Sequence, residues 1–404
     1  CGELDVLFLY YRVDAPAAME RLQCGAEEAA RALRYGCFEK AMEERGGDAL
    51  LTAHHMDDQA ETVLMHLLRG SGPAGLSGMA ACRPLQSGWL LRPFLSLRRE
   101  ELRRALAEAR LPWREDETNA QPEGLRNRLR LTALPILEGL APGCVEAMSR
   151  AAFLFGEEEG FWRQETGGWL ENNAWFSKKL CFLMRGALEG DPPALRRRVL
   201  RAFFERGVRE MGAGMDRGMV SLTLAKTEEL MRLLTGEAGC AVNLPGRIRC
   251  ERSRERLFLI PPGERKTPPE TLLDVPGETR FGDYVFTAAF KSPEGDLGDG
   301  VRRQALDADQ LCGSVVRTRR PGDVFRLFGG GGTSPLKELL ISRGVDRPFR
   351  DMLPLVARDA EILWAPGVGP SGLAKVTPET KTAAMLTVEG PLPWAETREE
   401  EQGG

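Results

Sequence analysis

At 404 residues and a formal net charge of −4, the chain has room for two or three domains, and its balance of charge excludes a uniformly basic nucleic-acid binder. No apolar run reaches the roughly 18–20 residues of a membrane span, and nothing resembles a signal peptide. Nine cysteines without a Cys-x-x-Cys pair fit reduced cytosolic thiols better than a disulfide framework or a zinc site. Only nine of the 55 basic residues are lysine. Arginine offers planar, bidentate recognition of phosphate, although genomic base composition can give the same bias. Local excess says more: residues 316–350 hold eight basic against three acidic side chains, and residues 92–130 hold ten against seven.

Residues 5–13, rich in β-branched and aromatic types, predict a strand. Residues 26–45 place Ala29, Ala30, Leu33, Cys37, Phe38, Ala41 and Met42 at helical spacing. A short buried strand is expected over 48–53 and a helix over 57–69, closed by Gly70. Next come a strand over 89–95 and a helix over 97–109 capped by Ser96. Strand–helix alternation points to a parallel sheet with crossover helices. Residues 125–165 then read as mostly helical, with a break at Pro142-Gly143, and helices follow over 193–207 and 219–234. Residues 236–262 read as hairpins around a turn at 244–247, and residues 263–269 as a linker. From Leu272 onward short strands and turns are expected, with one helix near 335–342. The acidic stretch from Pro391 is expected to fray. No internal repeat is visible.

All three histidines fall within thirteen residues, and two of them open the run His54-His55-Met56-Asp57-Asp58-Gln59-Ala60-Glu61-Thr62. Strand, polar turn, helix is where open α/β sheets hold ligands. The run leads to Arg69-Gly70-Ser71-Gly72, a glycine-bearing turn of the kind that brings backbone N–H groups to phosphate. Other readings exist. Carboxylates at a helix start can simply favour the macrodipole. His, Asp and Glu suit transition metals, but the spacings of the common metal-hydrolase motifs are absent. His66 reads as a packing or surface residue. Arg31 and Arg34 share a helix face, which on spacing alone is a solvated face. Asp116 and Asn119 suit Asx turns, and Arg126 and Arg130 lie one helical turn apart.

This run closely resembles the His-His-x-Asp-Asp-Gln-x-Glu-Thr segment, followed by Arg-Gly-Ser-Gly, of the tRNA(Ile)-lysidine synthetase family. Similar to that family too are Ala30-Arg31-Ala32-Leu33-Arg34-Tyr35, the Glu115-Asp116-Glu117-Thr118-Asn119 segment with Arg126-Asn127-Arg128-Leu129-Arg130, and three C-terminal segments beginning at Val316, Leu336 and Asp359, with a flexible glycine loop over 329–332 between the first two. The resemblance runs from about residue 5 to 385. It implies an α/β fold: a partial parallel-sheet, Rossmann-like ATP-pyrophosphatase domain over 1–137, a mainly helical tRNA-binding domain over 138–265, a small α+β tRNA-binding domain over 270–388, and an acidic disordered tail over 389–404. It implies catalytic roles for His54, Asp57, Asp58 and Glu61, with Mg²⁺ on Asp57 and Asp58. ATP is expected at Arg31, Arg34, His55, Arg69, Gly70, Ser71 and Gly72. Transfer RNA is expected at Arg126, Arg130, Arg317, Arg319, Arg320 and Lys337. The implied reaction joins free lysine to C2 of the wobble cytidine of a CAU-anticodon isoleucine tRNA through an adenylated intermediate. A cytoplasmic protein is implied, off the membrane, with a homodimer as one expected assembly. A tRNA thiolation enzyme of the same superfamily would need reactive cysteines, usually paired, and none are paired here.

One family element is missing. The Ser-Gly-Gly-x-Asp-Ser loop that holds the ATP phosphates occurs nowhere in the sequence. The opening strand resembles the family's third, so roughly the first hundred residues of the family domain are expected to be absent, leaving an unpaired sheet edge. The first expectation is an incomplete copy of an active enzyme. The second is a catalytically impaired fragment that still binds tRNA.

Overall fold

The computed structural model describes residues 5–22, 25–114, 124–212, 221–263, 267–327 and 332–395. Packing divides the chain into two units, residues 1–177 with 187–231, and residues 178–186 with 232–404.

The first unit opens differently from expectation. Residues 5–13 form no strand, and Val6, Leu7, Phe8 and Tyr10 are exposed. A strand needs a neighbour's N–H and C=O groups, and among the described residues none pairs with this run. Two helices follow, α1 (Ala15–Leu22) and α2 (Ala26–Arg45). α2 has the expected bounds because Gly46 takes the left-handed conformation, φ 61°, that ends a helix. The sheet is small. β1 (Ala49–Leu51) runs parallel to β3 (Gly88–Leu91), and β3 pairs antiparallel with β2 (Cys82–Leu85). The β2–β3 hairpin escaped the sequence reading. Among the described residues β1 therefore has one neighbour, and Leu51 on it is exposed.

Between β1 and β2 lie α3 (Met56–Leu68) and the short α4 (Pro73–Leu76). After β3 comes α5 (Arg99–Glu108), whose N-cap is Arg98 and not the expected Ser96. Its first amides are capped by carboxylates: Glu101 accepts from Arg98 N at 2.7 Å and Asp57 from Arg99 N at 2.8 Å. α6 (Gly124–Arg128) continues through a π-helical turn, Leu129–Ala133, into α7 (Leu134–Leu140), and α8 (Cys144–Asn173) follows. Pro135 explains the π turn. It brings no N–H, and its ring would collide with the carbonyl four residues back, so the helix widens ahead of it. Ala60 of α3, Leu134 of α7 and Val145 of α8 form a buried cluster flanked by Met56 and Leu64, which fixes α3 against the helices after it. β4 (Ala174–Phe176), α9 (Pro193–Glu210) and α10 (Leu224–Thr235) complete the elements that begin in this unit.

Gly88 is where backbone freedom matters. Its φ is +122°, and an added Cβ would meet the carbonyl oxygen of Asp48 and, at 2.8 Å, the Met42 side chain. Gly88→Ala is therefore expected to lose about 1–3 kcal/mol of stability, read as a lower urea midpoint. An unchanged midpoint would contradict this close approach.

The second unit is mainly β. β5 (Cys181–Met184), β8 (Arg256–Ile260), β7 (Arg249–Arg252) and β6 (Ala241–Asn243) pair in that order. Two further sheets follow. One is β10 (Gly277–Phe281), β11 (Tyr284–Lys291), β19 (Ala383–Glu389) and β12 (Arg303–Asp307). The other orders β15 (Thr333–Pro335), β14 (Val324–Arg326), β17 (Glu361–Ala365), β16 (Leu355–Arg358), β13 (Val315–Arg317) and β9 (Thr271–Leu272), with β18 (Gly369–Pro370) on β17. Phe286 and Trp364, one from each sheet, meet edge to face at 6.1 Å. α11 (Leu336–Ser342) lies at the expected helix, and the short α12 (Arg347–Arg350) sets Phe349 against Phe182 and Phe258. The tail begins later than expected. Leu392 and Trp394 are buried, and Trp394 Nε1 donates to the Pro366 carbonyl at 2.9 Å. Residues 396–404 lie outside the described residues, as do Asp116, Asn119 and Gly329.

Candidate active site

The polar run sits where β1 ends and α3 begins. His55 is the N-cap of α3: its ring accepts from Asp58 N at 3.4 Å, and Asp58 Oδ2 accepts from His55 N at 3.1 Å. This reciprocal capping leaves the His55 ring engaged with the helix. His54, one residue earlier, lies 2.9 Å from Thr52 Oγ1. Partial burial lowers the His54 pKa. Asp58 opposes this, while the charges of Arg92, Arg126 and Arg31 add to it. The imidazole is thus neutral at pH 7, a proton acceptor at the carboxyl end of a strand.

Asp58 and Glu61, one turn apart on α3, meet Arg126 and Arg130. Glu61 is 1% exposed and accepts from Arg126 Nε at 2.8 Å and from Arg130 Nε at 2.6 Å. Asp58 Oδ1 lies 3.1 Å from Arg130 and 3.5 Å from Arg126. The bonds to Glu61 raise the Arg130 pKa further above its ordinary value. Arg126 and Arg130 were expected on tRNA phosphate. The structure turns them inward, because a buried carboxylate needs paired cations.

Asp57 faces the other way. Its Oδ1 lies 3.2 Å from Arg98 and its Oδ2 caps α5, so it braces the scaffold. Every carboxylate oxygen of Asp57 and Asp58 already meets a guanidinium or an N–H. The donor set does not fit a Mg²⁺ held by these two residues, and among the described residues no group of three or more His, Cys, Asp or Glu is placed to hold a metal. Gln59, 4% exposed, grips the 77–79 turn through Met79 N and O.

The Arg69-Gly70-Ser71-Gly72 turn belongs elsewhere. It follows the C-terminus of α3, where Ser71 N bonds to the His66 carbonyl at 2.9 Å. At 1.5 Å per residue, α3 separates it from His54 by about 18 Å. The amides of Arg69, Gly70 and Ser71 are spent on the last carbonyls of α3, and the negative end of the helix dipole repels phosphate. Arg69, Gly70, Ser71 and Gly72 are therefore corrected as partners of the same ATP. Arg31 and Arg34 are both exposed on α2. Arg31 stacks 5.1 Å from the Tyr35 ring centroid.

Sequence reading held Tyr35 only as the end of the Ala30–Tyr35 segment, with no role of its own, and missed Arg83 and Arg92. Arg83 stacks 5.3 Å from the Tyr35 centroid, and Arg92 is 5% exposed, donating to the Ala80 carbonyl. Burial raises the Tyr35 phenol, but the Arg31 charge and hydrogen bonds from Arg83 and Arg92 together outweigh it and leave its pKa lowered. The available signal was modest: Tyr35 lies four residues after Arg31.

In the second unit, Arg317 is corrected as a phosphate contact. It is 2% exposed and forked onto Asp323 at 2.9 and 2.8 Å. Arg319 and Arg320 pair with Asp351 and Glu270. Lys337 is exposed, with no carboxylate partner among the described residues.

Residues 1–137 match the PP-loop domain family, and residues 315–386 match the TilS substrate C-terminal domain family. The tRNA(Ile)-lysidine synthase of Symbiobacterium thermophilum is 32% identical over 386 residues, covering 92% of this chain and 80% of that protein. That of Dehalococcoides mccartyi is 30% identical over 398 residues, covering 94% and 81%. The chain belongs to the tRNA(Ile)-lysidine synthase family. Its first domain is accordingly of the ATP-using PP-loop type. The Listeria innocua "Bifunctional protein TilS/HprT" is also similar, 31% identical over 373 residues; the chain spans 56% of that longer protein.

Proposed function

We propose that this chain takes part in ATP-dependent joining of lysine to C2 of the wobble cytidine of a CAU-anticodon isoleucine tRNA, in the cytoplasm. The observation that carries the reading is His54: a neutral imidazole beside Asp58 and a group of arginines, at the carboxyl ends of parallel strands, in a chain of this family. In the first step the cytosine C2 carbonyl oxygen bonds to the α-phosphorus of ATP and pyrophosphate leaves. In the second, the lysine amine bonds to C2, AMP departs with that oxygen, and the amine gives up a proton. His54 is the acceptor for that proton. Asp58 and Glu61, paired with Arg126 and Arg130, fix the start of α3 beside His54, and Thr52 holds the His54 ring. Mg²⁺ enters only as the counter-ion of the nucleotide.

The alternative of a tRNA-binding fragment with little catalysis is not favoured by the relatives, which are named synthases. Pyrophosphate release from ATP that depends on the isoleucine tRNA tests the first step; ATP turnover indifferent to that tRNA would refute it. We further assign ATP handling to residues 1–137 and tRNA holding to 138–265 and 270–388. Lys337→Ala with Arg319→Ala is expected to weaken tRNA binding and to reduce the slope of log affinity against log salt by about 1 per lost contact. Equal slopes for the variant and the parent would remove both residues from the tRNA surface.

A further inference from the structure

We propose that the acidic residues 396–404 are the resident counter-charge of the arginine surface on α12 and shield it from polyanions; that the polyanion is RNA rests on the assignment of tRNA holding to residues 270–388 above. Composition supplies one partner. Residues 396–404 carry four glutamates and one arginine, a net charge of −3. The structure supplies the other. α12 presents Arg347, which is exposed, and Arg350, which is partly buried. The carboxylates beside them are already taken: Asp346 Oδ2 lies 2.6 Å from Arg256, and Asp351 Oδ1 lies 2.5 Å from Arg319. Among the described residues neither Arg347 nor Arg350 is left with an ion-pair partner. Burial and the charges of Arg319 and Arg347 lower the Arg350 pKa, against Asp346 and Asp351. Like charges gathered in this way draw an anion.

The anchor ahead of the acidic run decides the place. The buried Trp394 ring, fastened to the Pro366 carbonyl, lies 6.0 Å from the ring of Phe349, which stands between Arg347 and Arg350 on α12. The Pro393 carbonyl accepts from Arg256 at 3.5 Å, the same guanidinium that holds Asp346. Ala395 is buried as well, so residue 396 leaves the fold beside α12. Nine residues span at most about 30 Å, and Glu399, Glu400 and Glu401 come soon after the anchor, within reach of both arginines. A short tether holds its charges at about millimolar effective concentration. That suffices for weak, salt-screened pairs to oppose diffuse polyanion binding. An RNA held elsewhere on the chain as well displaces the glutamates more readily than one that touches this patch alone.

Elution from immobilised heparin, and anisotropy of a labelled methionine tRNA at low salt, test this. The parent is compared with a chain stopped after Ala395 and with the triple variant Glu399→Gln, Glu400→Gln, Glu401→Gln; both keep the Trp394 anchor. Each is expected to elute at higher salt and to bind the tRNA about three- to thirtyfold more tightly, a gain that shrinks above about 0.3 M salt. With Arg347→Gln and Arg350→Gln together the gain should vanish, and with Arg347→Gln alone, at the exposed position, it should fall. With Arg280→Gln, an exposed arginine on β10, it should persist. Unchanged elution and affinity, or a gain equally large without Arg347 and Arg350, would overturn the proposal. The two readings fail separately. An arginine-dependent shift on heparin with no tRNA binding by any form keeps the shield and refutes tRNA holding by this unit. Binding of tRNA with both assays indifferent to the glutamates does the reverse.

Discussion

Replacing Arg126 and Arg130 together by alanine is expected to destabilise the first unit by about 3–5 kcal/mol. The reason is asymmetric burial. Glu61 is 1% exposed, whereas its two arginines keep 30% and 20% of their side-chain surface in water. Removing the cations strands a carboxylate that cannot turn to solvent; removing Glu61 instead leaves two arginines that can. The same double variant with Glu61→Leu added should therefore recover most of the loss. The melting temperature reads the difference, at about 2–4 °C per kcal/mol for a unit of this size. A double variant as stable as the parent would mean that Glu61 is not buried against these arginines.

His54→Ala is expected to lower lysine incorporation by about 10²–10⁴-fold with little change in melting temperature, since among the described residues His54 has one side-chain partner, Thr52. The pH dependence carries a sign. The His54 pKa is lowered from 6.5 in the folded chain, so the acid limb of the rate that reports this imidazole has its midpoint below 6.5. Stability follows the same direction. As pH falls through 6.5 the unfolded chain binds the proton first, so the His54 contribution is intact above that pH and is lost as pH falls through the folded-state value. An acid limb with a midpoint above 6.5, or an alanine variant within tenfold of the parent, would take the proton-accepting role from His54.

Local pattern made α2 and α3 legible, because apolar spacing and a terminal glycine act within a few residues of chain. It failed for residues 5–13, where a β-type composition does not supply a pairing partner. The site was legible in its residue types but not in its pairings. His54, Asp58 and Glu61 do come together, yet Arg126 and Arg130, which looked like phosphate ligands, are drawn onto Glu61 from 65 and 69 positions away. The glycine turn after Arg69 suggested a phosphate loop by its composition; its position at the C-terminal end of α3, already implied by a helix over 57–69 closed by Gly70, gives it the wrong polarity. Arg92 escaped notice because a lone arginine after a strand has no pattern, and its meaning comes from Tyr35 and Arg83 across the sheet end.

The most direct measurement is incorporation of labelled lysine by the 404-residue chain into a CAU-anticodon isoleucine tRNA transcript, with ATP and Mg²⁺ and with a methionine tRNA as control. Incorporation that requires both ATP and the isoleucine tRNA, and falls away in His54→Ala, is the predicted result. No incorporation into the isoleucine tRNA by the folded chain, or equal incorporation into the methionine tRNA, would contradict the proposed reaction.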